Sequence, residues 1–205
     1  MASKQQKPNG AEAGWKFLDS ETRFENEICR LREDQVELEA GKKIKYAYLE
    51  RDEAVIIVPV TADGQLVLLK QYRYPVDEWC LEVPAGGTHD SGNASLEEVV
   101  RKELREEVGA TAKSLTHVGF FYSCNSMSDE KCNVFLAQGV ELSKKQDTET
   151  SEEIKVQLVP IEKAVELARS GAMKTGSCAL ALLLCEPLLS GGSQHQQTPD
   201  DLLET

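Results

Sequence analysis

The run Ser95-Leu-Glu-Glu-Val-Val-Arg-Lys-Glu-Leu-Arg-Glu-Glu-Val-Gly109 crowds three carboxylates, Glu103, Glu106 and Glu107, into a place where a helix should be apolar. It reads as one capped helix. Ser95 is a good N-cap, Glu98 completes a capping box, and Gly109 supplies the stop. Leu96, Val99, Val100, Leu104 and Val108 form one apolar stripe, because about 100° separates successive residues. Glu103 and Glu107 project into that arc one turn apart, with Glu106 at its edge. Like charges at that spacing repel, and half-buried carboxylates are costly. A divalent cation would remove both costs. Oxygen-only donors suit Mg²⁺ or Mn²⁺, with water and phosphate oxygens completing the shell. The same run also reads as a solvated face in which Arg101, Lys102 and Arg105 pair with the glutamates.

The elements before the helix bear on that choice. Ala54–Val60 and Gln65–Tyr74 are apolar, strand-like runs joined by the turn Thr61-Ala-Asp-Gly64. Trp79–Val83 predicts a further strand, ending in Pro84-Ala-Gly-Gly87. Glycine between a strand and a helix lets backbone approach a ligand closely.

Gln71-Tyr-Arg73, Glu82-Val-Pro-Ala-Gly86 and the run ending Arg-Glu-Glu-Val-Gly109 together resemble the Nudix hydrolases, from about Phe24 to Leu189. The resemblance implies a Nudix α/β/α sandwich with a mixed sheet, plus a small N-terminal antiparallel β-extension. It assigns Glu103, Glu106 and Glu107 to metal, with the Ala85 carbonyl as a further ligand. Glu106 and Glu130 are the candidate catalytic groups. Glu130 comes from Ser128-Asp-Glu130, on a loop expected to be mobile and to close on substrate. Arg73 resembles a family position that contacts the substrate or the other subunit, and a guanidinium matches phosphate bidentately; it also reads as a structural ion pair with acidic neighbours. Trp79 either stacks a base or fills core. His89 and His117 receive no role.

The chain departs from the family pattern in three places. Lys102 stands where the signature has arginine, and offers a point charge instead of a planar fork. The loop before the helix is longer by roughly one or two residues. The signature's first glutamate therefore falls on Asn93 or Ala94. In the later loop, Asn125-Ser126 replaces the Pro-Gly common in the ADP-ribose pyrophosphatase type.

The activity implied is Mg²⁺-dependent hydrolysis of a nucleoside diphosphate sugar, with ADP-ribose favoured and AMP and ribose 5-phosphate as products. The alternatives are a Nudix hydrolase of another nucleotide sugar or a dinucleotide, and a catalytically weak nucleotide-binding module.

A chain of 205 residues predicts one ordinary domain with an appendage. Residues 1–14 are polar and expected to be disordered, as is the tail 190–205. Residues 15–50 form the β-extension, read as short strands over Phe24–Arg32, Gln35–Glu39 and Lys45–Glu50, and 51–189 the catalytic domain. A sheet so small needs a partner, and in similar enzymes it joins two subunits, which predicts a homodimer. A net charge of −12 argues against a nucleic-acid partner. The N-terminus lacks the apolar core of a secretory leader, and no apolar run is long enough to span a membrane. The six scattered cysteines fit no zinc spacing and read as reduced. These features predict a cytoplasmic protein.

Overall fold

The computed structural model describes residues 8–143 and 154–189. The chain folds as two compact units. The first holds the described residues up to Ala54, with Gly87–Ala94 and Phe120–Asn133. The second holds Val55–Gly86, Ser95–Gly119 and the described residues from Val134 onward.

The first unit begins with a short helix, α1 (Pro8–Glu12), inside the segment expected to be disordered; residues 1–7 lie outside the described residues. A three-stranded antiparallel sheet follows, in the order β1 (Lys16–Glu25), β2 (Arg30–Glu37), β3 (Lys43–Glu50). The strand expected over Phe24–Arg32 is corrected by the turn in its middle. The Asn26 side-chain oxygen accepts the backbone N–H groups of Ile28 (2.9 Å) and Cys29 (2.8 Å). Such an Asx turn competes with the ladder and reverses the chain there. Most residues of β1 are exposed and its polar run shows no sustained alternation, so its sequence carries little strand signal.

The second unit is built on an eight-stranded mixed sheet. Its main path runs β11 (Ile154–Pro160), β5 (Gln65–Arg73), β4 (Ala54–Thr61), β10 (Lys131–Leu142), β8 (Ala110–Thr111). Three strands lie off that path. β6 (Glu78–Glu82) pairs with β5, β7 (Ala85–Gly87) with β4, and β9 (Ser114–Tyr122) with β10. The turn between β4 and β5 closes through the Gly64 N–H on the Thr61 carbonyl, with Gly64 at φ +79°; only glycine takes that conformation cheaply.

Both faces of β4 and β5 are buried, so their sequences are continuous apolar runs. Val55, Ile57, Val67 and Leu69 face one layer. There they pack with Val99, Val100, Leu104 and Val108 of α2 (Leu96–Val108), and with Phe135, Ala137 and Val140. Ile56, Val58, Leu66 and Leu68 alternate to the other face and are equally buried. α3 (Ile161–Arg169) and α4 (Gly176–Leu189) pack against each other, and α3 also packs on β5 and β11. The layering is the α/β/α arrangement expected from the sequence. The polar segment Lys144–Glu153 lies outside the described residues. No helix among the described residues is long and apolar enough to cross a membrane.

Candidate active site

α2 forms as its sequence dictates. The Ser95 hydroxyl accepts the Glu98 N–H, and the Glu98 carboxylate accepts the Ser95 N–H at 2.7 Å. Backbone and hydroxyl donation from Ser95 hold the Glu98 carboxyl below the usual carboxylate range. Gly109 closes the helix at φ +60°, where its N–H meets the Arg105 carbonyl. With both ends fixed, the rotational setting of the helix is fixed too.

That setting buries two of the three glutamates. Glu103 is 9% exposed and Glu107 6%, on the same arc as Val99, Val100, Leu104 and Val108. Glu106 is half-buried at the edge, its carboxylate 3.8 Å from the Lys102 ammonium. The loop expected to approach a ligand lies against the buried pair. Glu107 Oε2 accepts the Ala85 N–H at 3.0 Å. A Cβ on Gly86 would stand 2.1 Å from Glu103 Cδ and 2.2 Å from Oε1. A side chain on residue 86 would force the Glu103 carboxylate to move. Ala85 meets this set through its N–H, a contact separate from the metal-ligating carbonyl that the resemblance implies.

Among the described residues, no three acidic, histidine or cysteine side chains are gathered into a ready-made metal cluster. The donor set nonetheless suits a hard divalent cation. It is made of oxygen alone, and its two buried carboxylates lie against the Ala85-Gly86 turn, Glu107 at the Ala85 N–H and Glu103 at Gly86.

Arg73 is held on the same unit. Glu82, 3% exposed, accepts Arg73 Nε on both oxygens at 3.1 Å and Nη2 at 2.6 Å. The hydrogen bond to Glu82 raises the Arg73 pKa above its ordinary value, and the charge of Glu107 adds to the effect. Arg73 is therefore within Coulomb reach of a signature glutamate.

Trp79 is not brought into this group. β5 and β6 pair with Leu69 opposite Glu82, Gln71 opposite Cys80 and Arg73 opposite Glu78. Tyr72 and Trp79 form the alternate pair, and successive side chains leave a strand on opposite faces. Trp79 thus points away from the Arg73–Glu82 side. It is 42% exposed, rests against Tyr72 with ring centroids 6.0 Å apart, and lies under the Lys155 ammonium at 4.7 Å. It does not fill core, contrary to one of the two sequence readings.

Glu130 belongs to the first unit. It is 9% exposed and ion-paired with Arg51 at 3.1 Å. The segment before it, expected to be a mobile loop, is stapled to β3. The Leu49 N–H donates to the Met127 carbonyl, the Asp129 N–H to the Leu49 carbonyl, and the Tyr46 hydroxyl to the Ser126 carbonyl. Asp129 Oδ1 also accepts the Arg51 N–H at 3.0 Å.

The first unit also holds an aromatic cavity. A cavity of about 370 Å³ is walled by Trp15, Phe17, Tyr46, Tyr48 and Tyr122, with buried Asp34 at its edge. Burial, followed by the charge of Asp34, pushes the Tyr48 hydroxyl up to about 12. Tyr46 and Tyr48 share a strand face at a spacing of two, which was the available signal.

These features agree with what the chain is similar to. Residues 50–176 match the NUDIX domain, and residues 15–49 match the nucleoside diphosphate sugar hydrolase N-terminal domain. An ADP-ribose pyrophosphatase of Bacillus subtilis is 32% identical over 168 residues, covering 82% of this chain and 90% of that protein. An ADP-ribose pyrophosphatase of Mycobacterium tuberculosis is 27% identical over 185 residues, covering 90% and 89%. The crystal structure of an ADP compounds hydrolase shares the fold, with a TM-score of 0.75 at 24% identity over 86% of this chain and 95% of the other. A buried glutamate pair on a capped helix, a glycine loop laid against it and a family match across most of the chain lead to one conclusion: the chain belongs to the NUDIX family and is a Nudix hydrolase.

Proposed function

We propose that this enzyme hydrolyses the diphosphate of a nucleoside diphosphate sugar, with ADP-ribose the favoured substrate, in a reaction that depends on Mg²⁺. The observation that carries this reading is the burial of Glu103 and Glu107 against Ala85 and Gly86. Two same-sign carboxylates one turn apart, packed against the Ala85-Gly86 turn, are arranged for a cation. The ADP-ribose pyrophosphatases among its relatives support the choice of substrate.

Glu103, Glu106 and Glu107 would hold the metal, Glu106 after release from Lys102. When bound, the metal polarises phosphate and lowers the pKa of water. Water then adds across the diphosphate. Its oxygen bonds to one phosphorus, the bridging P–O bond breaks, and the leaving phosphate keeps the electron pair. From ADP-ribose this gives AMP and ribose 5-phosphate. Arg73 binds phosphate through the part of its guanidinium that Glu82 does not occupy. Glu106 and Glu130 are the candidate groups for taking the proton from water. We assign Trp79 no part in diphosphate binding, because of its strand face.

The N-terminal sheet is further read as a dimerisation element, with Phe24 and Ile28 more than half exposed on it and its turn. The six free cysteines fit a reducing, cytoplasmic setting.

Incubation with ADP-ribose, ADP-glucose and NADH in Mg²⁺, with and without EDTA, tests the proposal. AMP and ribose 5-phosphate should form fastest from ADP-ribose, and EDTA should abolish the release. A faster rate on another diphosphate would replace ADP-ribose as substrate. Release that persists in EDTA would overturn the metal-dependent reading.

A further inference from the structure

Arg73 is not aimed by its own strand alone. The carboxylate that grips it, Glu82, is itself gripped from the far end of the unit. Thr175 Oγ1 donates to Glu82 Oε1 at 2.8 Å, across 93 residues of sequence. Thr175 immediately precedes α4. Its neighbour Lys174 pairs with Glu78, on the same face of β6 as Glu82. Two consecutive residues of the α3–α4 connection therefore engage both ends of the acidic face of β6.

The chemistry of the contact sets its direction. Glu82 presents two oxygens to the guanidinium, which engages them through Nε and Nη2 and leaves Nη1 outside the contact. A carboxylate with one oxygen tied to a hydroxyl cannot rotate freely about its last torsion. The plane of the carboxylate fixes the plane of the guanidinium, because a bidentate pair is close to coplanar. The Arg73 side chain is 44% exposed while its partner is 3% exposed. One edge of the guanidinium is thus locked inside and the other is offered outward.

We propose that Thr175 and Glu82 are positioning residues: Thr175 sets the Glu82 carboxylate, and Glu82 holds Arg73 with its outer edge turned to the substrate's phosphate. This rests on reading Arg73 as the phosphate contact. It makes the α3–α4 connection part of the substrate-binding apparatus, although it touches no substrate.

The test uses the full chain with Thr175→Val, Thr175→Ser, Arg73→Ala and the Arg73→Ala/Thr175→Val pair. Without substrate, the Arg73 Nε–H should exchange slowly with solvent in the wild type and in Thr175→Ser, and several-fold faster in Thr175→Val. With the hydrolysed diphosphate, Thr175→Val should raise KM about three- to tenfold, the range of one hydrogen bond, with kcat within about twofold. Thr175→Ser should restore KM. In the Arg73→Ala background Thr175→Val should change nothing further, since the two residues act as one unit. An equal loss in both backgrounds would overturn the proposal, making Thr175 a packing residue of α4. Unchanged Nε–H exchange in Thr175→Val would also overturn it. If none of the diphosphates is hydrolysed, the substrate reading fails by itself, and the exchange measurement still decides whether Thr175 holds Arg73.

Discussion

Both units bury charge, and they do so in opposite ways. In the N-terminal sheet the buried charges are of opposite sign, Arg32 and Asp34 on one face of β2 with Glu50 of β3 beside them. Arg32 is 5% exposed and Asp34 4%. Arg32 Nη1 lies 3.2 Å from Glu50, which also takes Arg30 at 3.3 Å. Ser20 links the pair, donating to Asp34 at 2.5 Å and accepting Arg32 Nε at 3.0 Å. On α2 the sign repeats: Glu103, Glu106 and Glu107 share one helix, and the loop against them brings a glycine and a backbone N–H. A network that cancels its own charge holds a sheet together. The α2 set keeps three like charges on one helix, with Lys102 beside Glu106 and the Arg73 charge acting on Glu107, and so many carboxylates together suit a cation. The contrast supports the proposal that the α2 cluster, and not the sheet network, is the functional one.

Substitutions can break this comparison, in descending order of their effect on stability. Arg32→Ala leaves buried Asp34 without its counter-charge and Glu50 with Arg30 alone, and should cost about 3 kcal/mol, as broken buried pairs do. Hydrolysis per folded molecule should persist, as read by denaturant unfolding alongside a rate normalised to folded protein. A rate that collapses while stability holds would place the network in the catalytic machinery instead. Gly86→Ala should do the reverse. Its Cβ meets Glu103 at 2.1 Å, and the overpacking should cost about 2 kcal/mol. Displacing Glu103 should also lower the rate well beyond what instability explains, a difference that thermal melting combined with steady-state kinetics resolves.

Ser95→Ala removes the cap and should cost about 1 kcal/mol by chemical denaturation. Part of that cost depends on pH. The folded pKa of Glu98 is lowered, so its contribution is complete above the ordinary carboxylate pKa and is lost as pH falls through the folded value. The difference between wild type and Ser95→Ala should therefore shrink on acidification below about pH 4.5. The smallest test is chemical. Cys124 is the exposed thiol, while burial pushes Cys132 up to about 11 and Cys178 and Cys185 up to about 12. A thiol reagent at pH 8 should label Cys124 first and leave those three unmodified in the folded enzyme.

Local chemistry explains which features were legible in the sequence. Ser95, Glu98 and Gly109 fix α2 by contacts a few residues apart, so the helix, its buried arc and the edge position of Glu106 could all be read directly. The Gly86 cradle was foreseeable as a close approach, but its partner Glu103 was not, because the distance depends on how the loop lands. The Arg73–Glu82 pair follows from β5–β6 register, and the same register carries Trp79 to the other face. Thr175 lies 93 residues from Glu82 and no periodicity links them. β1 was obscured by its exposure and by the Asn26 turn. The stapled segment before Glu130 looked mobile because its hydrogen bonds go to β3, far away in sequence.

The most direct test of the central claim, that the carboxylates on α2 carry the hydrolysis, is the rate of AMP release from ADP-ribose in saturating Mg²⁺ for wild type and Glu107→Gln. The two proteins would be matched for folded content by circular dichroism. Glutamine keeps the size of the side chain and removes its charge. A loss of about 100-fold or more, the scale of a lost metal contact, is the predicted result. An equal rate in Glu107→Gln would contradict the account, and would make the buried glutamates of α2 a structural feature like the network in the N-terminal sheet.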